Sequence, residues 1–324
     1  MKLSIALCTC NSARFLQEQL DSIANQSYLP DELVVCDDAL EDSTLRILKA
    51  FRQKAKFRVR IYRNTQRLGV SKNFEKAISL CKGNYIALSD SDDVWLPEKL
   101  EKLMEPLERD ASIGYVFSNA LVVDEKLNPL GYTFWDAIGF TLAEQEKFAQ
   151  GKQVEVLVKR NVVQGPCMAF RAELKEVILP IPQFSGGHDA WISLIASCLG
   201  MKGCFIREPL MLYRLHPSQV WGFRVCIRPN FSQKVRESLG PKIEALQLEE
   251  LRMVEALKRL ASVGKLNTTV KQLLENKIQH LRNRRFIQTS RRYKRPFYVL
   301  REILTKRYHT FSAGWISVAK DLLL

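Results

Sequence analysis

The run SDSDD at residues 89–93 places Asp90, Asp92 and Asp93 directly after an apolar segment. Carboxylates so close in sequence repel one another unless water or a cation compensates their charge. Hard oxygen ligands of this kind suit Mg²⁺ or Mn²⁺, and such an ion can bridge to a diphosphate while keeping several waters. The alternative is an acidic turn that caps the helix beginning near Pro97, and the run alone does not decide between the two.

A second acidic pair, Asp37-Asp38, also ends an apolar segment. If both segments are parallel strands of one sheet, their acidic ends lie at its carboxyl edge, where α/β sheets bind ligands. A carboxylate there can accept hydrogen bonds from a ribose or a base N–H, although one of the two can equally cap the next helix. The first apolar segment ends in TCNS at residues 9–12. Neither GxGxxG nor GxxxxGK[ST] occurs in the chain, which argues against NAD chemistry and ATP hydrolysis.

The elements that must position these residues alternate along residues 1–125. Apolar periodicity predicts strands at Leu3–Thr9, Glu32–Asp38, Phe57–Asn64, Asn84–Ser89 and Gly114–Val123, and helices at Arg14–Asn25, Ser43–Lys54, Ser71–Cys81 and Pro97–Arg109. The alternation predicts an α/β fold with a Rossmann-like, mostly parallel sheet flanked by helices. Residues 126–225 are less regular, with one helix predicted at Asp189–Leu199. From about Pro241 the chain is predicted to be helical, with further helices at 267–288 and 297–307.

Several short motifs together carry a family resemblance. They are Thr9 with Asn11, Asp37-Asp38, LGVSKNF at 68–74, DSDDVWLP at 90–97, QGPCMAF at 164–170, HDAW at 188–191 and YRLH at 213–216. In this combination they resemble family 2 glycosyltransferases, which have the GT-A fold and invert the anomeric carbon. The segment DSDDVWLP resembles the DxD metal motif as spelled in rhamnosyltransferase-like members. The resemblance covers about residues 1–225.

The resemblance implies roles in binding a nucleotide-sugar donor. Asp38 would contact the nucleobase, with Thr9 and Asn11 beside the nucleoside, and Asn73 belongs to the donor-binding motif LGVSKNF. Cys10 departs from the family pattern, because an aromatic residue is usual there and would stack on the base.

The resemblance also implies metal-dependent chemistry, with Mn²⁺ or Mg²⁺ as the cofactor. The predicted metal ligands are Asp90, Asp92, Asp93 and His216, of which Asp90 and Asp92 would hold the donor diphosphate through the ion. Asp189 matches the position of the catalytic base, although a lone Asp that opens a helix is more often an N-cap. Arg214 can pair with phosphate oxygens, and packing roles are the alternative for Arg214 and His216.

The 324-residue chain has a formal net charge of +14, and most of that charge lies near its end. From Pro229 onward there are 20 Lys plus Arg against 8 Asp plus Glu. Seven basic residues fall between Arg282 and Arg295, interleaved with aromatic residues. A solvated helical face is the plain interpretation, and a patch that docks on an anionic membrane leaflet is the second. Nucleic-acid binding ranks third, because no nucleic-acid motif accompanies the charge.

The eight cysteines form no CxxC pair and several lie inside apolar runs, which predicts reduced thiols in a cytoplasmic protein. No apolar run reaches the roughly 18–20 residues that a membrane span requires. We therefore expect a cytoplasmic protein that is at most peripheral on the cytoplasmic face of the membrane.

Together these observations predict two regions of the chain and one enzymatic activity. Residues 1–225 are expected to form the glycosyltransferase domain, in which 1–125 bind the nucleotide-sugar and 126–225 the acceptor, and 226–324 form a helical basic region. The predicted activity moves a sugar, with rhamnose from dTDP-rhamnose as first candidate, to a hydroxyl of a saccharide or lipid-linked saccharide in cell-surface polysaccharide biosynthesis. The alternatives are a nucleotide-binding scaffold without catalysis and a basic protein that binds nucleic acid or membranes.

Overall fold

The computed structural model of the chain describes residues 2–39, 42–183, 187–219 and 243–323. The predicted boundary between residues 225 and 226 lies outside this part of the chain. The strands are β1 Leu3–Thr9, β2 Glu32–Asp37, β3 Arg58–Arg63, β4 Tyr85–Ser89, β5 Val94–Trp95, β6 Ile113–Val123, β7 Pro129–Thr133, β8 Met168–Arg171 and β9 Lys202–Arg214. The helices are α1 Leu16–Ala24, α2 Asp42–Lys54, α3 Val70–Leu80, α4 Lys99–Arg109, α5 Phe134–Ile138, α6 Leu142–Ala149, α7 Gln153–Lys159, α8 Lys175–Ile178, α9 Gly187–Cys198, α10 Ile243–Ser262, α11 Thr268–Thr289, α12 Arg295–Leu304, α13 Arg307–Phe311 and α14 Trp315–Leu323.

The described strands form one mixed sheet in the order β3-β2-β1-β4-β8-β6-β9-β5, with β7 paired to β6. The first four strands of this order are parallel, and their register places Thr9 opposite Asp37 and Leu7 opposite Ser89. The carboxyl ends of β1, β2 and β4 therefore lie side by side at one edge of the sheet. The acidic pair and the acidic run (residues 89–93) meet at this edge, as the alternation of elements predicted.

The second half of the sheet contains antiparallel pairings that the sequence did not predict. Strand β8 lies antiparallel between β4 and β6, and with four residues it is too short to show a period of its own. Strand β6 pairs in parallel with the long strand β9, and the end of β9 pairs antiparallel with β5. Because β5 follows the acidic run directly, this pairing brings the YRLH motif beside it.

Helices on both faces bury the central strands along their whole length, and the predicted fold class is confirmed. Helices α10 and α11 contribute Leu246, Met253, Leu260 and Leu274 to this main core. A second, smaller core contains Ile287, Val299, Tyr308 and Val318. The helix predicted at 297–307 is present but ends earlier, at Leu304: α12 and α13 are separate, because Lys306 adopts a left-handed conformation (φ 56°). Every helix in the described segments is too short or too polar to cross a membrane.

Candidate functional site

Side-chain hydrogen bonds join the loops at the carboxyl edge of the sheet. The hydroxyl of Thr9 donates to Oδ1 of Asp37 across β1 and β2, at 2.7 Å. The hydroxyls of Ser12 and Ser91 lie 2.6 Å apart, so the loop after β1 contacts the acidic run. Asn11 is exposed next to Ser12 in a left-handed backbone conformation (φ 53°), which Asn tolerates better than most residues. These loops form one continuous polar surface.

Asp90 stands where the two predicted catalytic segments meet. Burial, followed by the negative charges of Asp92 and Asp189, raises the pKa of Asp90 to about 8. The acidic run and the start of α9 are therefore close in space, although they lie in different halves of the chain. A carboxyl group whose ionised form is this unfavourable is stabilised strongly by a nearby cation. The acidic edge thus has the charge of a cation site.

Asp92 and His216 have the spacing of two adjacent metal ligands. Nε2 of His216 lies 2.9 Å from Oδ2 of Asp92, and Nδ1 is held by the hydroxyl of Ser218 at 2.9 Å. Neighbouring ligands of an octahedral ion with bonds of about 2.1 Å are separated by about 3 Å. In the described part of the chain, no group of three or more His, Cys, Asp or Glu side chains is arranged to hold a metal ion. An ion at this pair would complete its shell with water and donor phosphates.

Asp93 and Arg214 fasten the acidic run to β9. Oδ1 of the buried Asp93 accepts the backbone N–H of Arg214 at 3.1 Å, and within the described residues its Oδ2 has no hydrogen-bond partner. Burial raises the pKa of Asp93 well above its usual range. The buried guanidinium of Arg214 donates to the backbone carbonyls of Asp92 and Glu125 and to the carboxylate of Glu18. Both residues turn their polar atoms toward the protein, so their observed contacts position the acidic run.

A buried lysine, which nothing in the sequence indicated, lies behind the acidic run. Lys99 donates to the carbonyl oxygen of Pro166, and its Nζ lies 3.8 Å from the ring centroid of Trp95. Burial lowers the pKa of Lys99 to about 7, against the opposing effect of Asp93 and Asp90. No motif or spacing in the sequence points to this residue, because Pro166 lies far from it in the chain and is brought to it by packing.

Two backbone N–H groups fix the carboxylate of Asp189 in the first turn of α9. Oδ2 accepts from Gly165 at 2.9 Å and Oδ1 accepts from Ala190 at 2.7 Å. Gly165 also leaves room for the neighbouring imidazole, since a Cβ atom at residue 165 would lie 2.8 Å from Nε2 of His188. Burial raises the pKa of Asp189 to about 6. The group is therefore ionised at neutral pH but more basic than an ordinary Asp, as proton abstraction from a hydroxyl requires.

His188, the neighbour of Asp189, is packed as a neutral imidazole. Its ring stacks on Phe74 of α3 with centroids 3.8 Å apart, and burial lowers its pKa to about 3. Both ring nitrogens are buried without a hydrogen-bond partner among the described residues. His188 thus adds no charge beside Asp189, which stays the ionisable group of the HDAW motif.

Asp38 and Asn73 belong to one polar network at the start of α3. The carboxylate of Asp38 accepts the backbone N–H groups of residues 68–69 and the side-chain amide of Asn64. The amide of Asn73 accepts from Asn64 at 2.8 Å and donates to the carbonyl oxygen of Cys36 at 2.9 Å. Both predicted donor-binding residues therefore shape the loop before α3 through contacts within the protein.

Comparison with protein families identifies the family of this chain. Residues 4–178 match the family described as Glycosyl transferase family 2, more than half of the chain. The chain belongs to glycosyl transferase family 2. The matched span contains Asp38 and the acidic run, while Asp189, Arg214 and His216 lie beyond its end.

Curated relatives of this family 2 glycosyltransferase come from bacteria and archaea. EpsE, a glycosyltransferase-like protein of Bacillus subtilis, is 36% identical over 38% of this chain, and the chain spans 45% of EpsE. An uncharacterized glycosyltransferase of Methanocaldococcus jannaschii is 28% identical over 66% of this chain and 70% of its own length. The chondroitin synthase of Escherichia coli is 30% identical over 39% of this chain and 18% of its own length.

Solved structures support the GT-A fold. A mannosyltransferase of Pyrobaculum calidifontis, in complex with GDP-Man and Mn²⁺, matches with a TM-score of 0.55 at 16% identity, over 99% of this chain and 85% of its own. TarS of S. aureus, in complex with UDP-GlcNAc, matches with a TM-score of 0.56 at 16% identity, over 99% and 91%. At this identity the likeness concerns the fold: a GT-A glycosyltransferase with a helical C-terminal region.

Proposed function

We propose that this family 2 glycosyltransferase catalyses metal-dependent, inverting transfer of a sugar from a nucleotide-sugar donor to an acceptor hydroxyl. The observation that carries the proposal is that Asp189 and the acidic run are both fastened to residues 165–166: Gly165 donates to Asp189, and Lys99, which lies over Trp95 next to the run, donates to Pro166. The acidic run suits a cation that faces a diphosphate, and Asp189 is a separate, basic carboxylate for the acceptor. A nucleotide-binding scaffold that has no catalytic activity has no chemical need for both the acidic run and a basic carboxylate at Asp189.

On the acceptor side, Asp189 acts as the general base. An alcohol is a poor nucleophile at neutral pH, and a carboxylate within hydrogen-bond reach takes its proton as the new bond forms. The backbone N–H groups of Gly165 and Ala190 hold the carboxylate still, so little reorganisation is needed when the acceptor arrives. Direct displacement by the activated hydroxyl inverts the anomeric carbon.

On the donor side, Asp92 and His216 would hold Mn²⁺ or Mg²⁺. The other two predicted ligands, Asp90 and Asp93, would add negative charge beside the ion. The ion supplies positive charge that stabilises the nucleoside diphosphate as it leaves. Arg214 holds the acidic run in position through its hydrogen bonds. It could contact a phosphate oxygen only after breaking one of these bonds. The nucleoside side is built from Asp38 and Asn73, with Thr9 and Asn11 at the end of β1.

The 90–97 segment and the donors of structural neighbours bear on the identity of the donor sugar. The residues of the 90–97 segment resemble those of rhamnosyltransferase-like members and favour dTDP-rhamnose as the donor. The solved structures in complex with GDP-Man and UDP-GlcNAc make those two donors the first alternatives. We propose a saccharide or lipid-linked saccharide acceptor in cell-surface polysaccharide biosynthesis, on the cytoplasmic side, and similarity to a chondroitin synthase favours a polymer product. Residues 1–125 bind the donor and 126–225 the acceptor, with the basic region 226–324 following.

Donor binding and turnover test the proposal. Calorimetric binding of UDP-, GDP- and dTDP-sugars with Mn²⁺, Mg²⁺ or EDTA should identify one donor that binds only with metal. Asp92→Ala should remove this binding, whereas Asp110→Ala, at a half-buried Asp that follows α4, should leave it unchanged. Binding that is unaffected by EDTA and by Asp92→Ala would remove the metal role. Absence of binding to every nucleotide-sugar would remove the donor site itself.

A further inference from the structure

Exposed apolar side chains are concentrated at the end of the chain. Twelve large hydrophobic residues are exposed among the described residues, and eight of them lie between Phe286 and Leu323. These eight are Phe286, Tyr293, Phe297, Leu300, Leu304, Trp315, Leu322 and Leu323. Single exposed hydrophobic residues are ordinary on a protein surface, but a cluster of this kind indicates an interaction surface.

Helix α12 presents the most regular part of this surface. Phe297, Leu300 and Leu304 follow at helical spacing on one face and are 72%, 53% and 75% exposed, so they form an apolar stripe along the helix. The ring of Tyr298 contacts both Phe297 and Phe286, with centroids 5.6 and 5.0 Å apart. The stripe therefore continues onto α11 as one apolar patch.

The charge around the stripe has a single sign. Residues 282–324 contain eleven Lys plus Arg and only two acidic residues, Glu302 and Asp321. Both acidic side chains are buried: Glu302 pairs with His280, and Asp321 forms a bidentate ion pair with Arg284. Every exposed charged side chain in the described part of this segment is therefore positive.

A small cavity next to the stripe is suited to an anionic group. Its volume is about 330 Å³, and its lining includes Arg301 and Arg307 together with the rings of Phe286 and Tyr298. Glu302 also lines the cavity, but its carboxylate is bound by His280, Asn283 and Arg307, which leaves the exposed Arg301 as the cation without an acidic partner in the lining. Guanidinium groups bind phosphate oxygens through paired N–H donors. The cavity thus combines phosphate-binding side chains with an apolar wall.

We propose that α12 and the adjoining end of α11 dock on an anionic lipid surface, with the apolar stripe in the acyl boundary and headgroup phosphates near Arg301 and Arg307. An amphipathic helix with a basic rim and aromatic and Leu side chains on its other face lies in the plane of such an interface. A second copy of the chain would bring like charges together, and nucleic acid offers no partner for Leu300 and Leu304. The proposal does not depend on the donor or the sugar.

Vesicle sedimentation of the full chain tests this surface. Wild type should pellet with vesicles of phosphatidylcholine mixed with phosphatidylglycerol, less so at high salt, and should stay in solution with phosphatidylcholine alone. The double variant Leu300→Ser/Leu304→Ser should weaken partitioning by about tenfold for each Leu. Arg291→Glu/Arg292→Glu should abolish the preference for anionic vesicles.

Matched controls outside the proposed docking helices are Leu142→Ser on α6, at a Leu that is 66% exposed, and Arg109→Glu at the exposed end of α4. Both should sediment as wild type does, and hydrolysis of a soluble donor should be the same in all variants. Equal sedimentation of wild type and the Leu double variant would overturn the proposal. A wild-type dimer in lipid-free sedimentation that the Leu double variant disrupts would assign the stripe to a second copy. Binding to a generic DNA duplex that survives the Leu changes would assign it to nucleic acid.

Discussion

At the scale of single residues, Asp189 shows how position sets chemistry. The carboxylate is held by two backbone N–H groups, and burial still raises its pKa to about 6. Proton abstraction needs the ionised form, which becomes the minor form below about pH 6. We therefore expect kcat/KM to fall about tenfold per pH unit on the acid side, with an apparent pKa of about 6, lower where a cation is bound near Asp90. Initial rates at saturating metal from about pH 5 to about pH 8 measure this limb.

Substitution of Asp189 tests whether the fall of kcat/KM at acid pH is caused by protonation of this residue. Asp189→Asn keeps the volume but removes the proton acceptor, so kcat should fall by about 10²–10⁴-fold while donor binding is retained. Asp189→Glu keeps a carboxylate and should retain an acid limb at reduced rate. An acid limb that is unchanged in Asp189→Asn would place the titrating group elsewhere.

From the sequence, the kind of chemistry that a site residue could perform was easier to predict than the contacts that the residue makes. Asp90, Asp92, Asp93 and His216 were predicted as metal ligands and Asp189 as the base; in the structure His216 contacts Asp92, and the roles of all five stay predictions. Arg214 was predicted to meet phosphate, yet its guanidinium is bound to three groups that lie far from it in the chain. Residue type and spacing cannot show such partners, because they depend on how distant loops meet.

At the scale of elements, Arg214 joins the end of β9 to the acidic run and α1. Arg214→Met would leave the partly buried carbonyl oxygens of Asp92 and Glu125 without their donor and remove a buried guanidinium, so we expect the free energy of unfolding to fall by roughly 2–4 kcal/mol. Arg14→Met is the matched control, since Arg14 is 62% exposed and also pairs with Glu125, and it should cost no more than about 1 kcal/mol. Urea unfolding followed by circular dichroism compares the two variants, and equal midpoints would contradict the positioning role of Arg214.

The periodicity of apolar residues located the predicted strands and helices of residues 1–125 to within about two residues, because each has a clear apolar face, but it missed the two-residue strand β5. It failed where an element is short or where a single residue changes the backbone. Strand β8 is recognised only through its pairing with β4 and β6, and the break between α12 and α13 depends on the left-handed conformation of Lys306. Tertiary context decides both features.

At the scale of the whole molecule, the basic C-terminal region is packed into the glycosyltransferase core. Leu246, Met253 and Leu260 of α10 belong to the main core, and Arg259 donates to the backbone carbonyls of Leu179 and Pro180 at 3.0 and 2.9 Å. The position of a domain boundary in the sequence therefore does not imply that residues 1–225 fold independently. We infer that α10 and α11 unfold together with the sheet.

The packing of α10 predicts a long-range effect of a single substitution. Leu260 is fully buried, so Leu260→Ala should lower the free energy of unfolding by roughly 2–5 kcal/mol. Leu251→Ala is the control on the same helix, because Leu251 is 41% exposed and should change stability by no more than about 0.5 kcal/mol. If the core is shared, the buried Trp95 and Trp191 of the sheet region should report the same shifted urea midpoint as the helical signal, since one cooperative unit gives coincident transitions. A helical transition that shifts while tryptophan fluorescence keeps the wild-type midpoint would show that α10 melts as a separate domain.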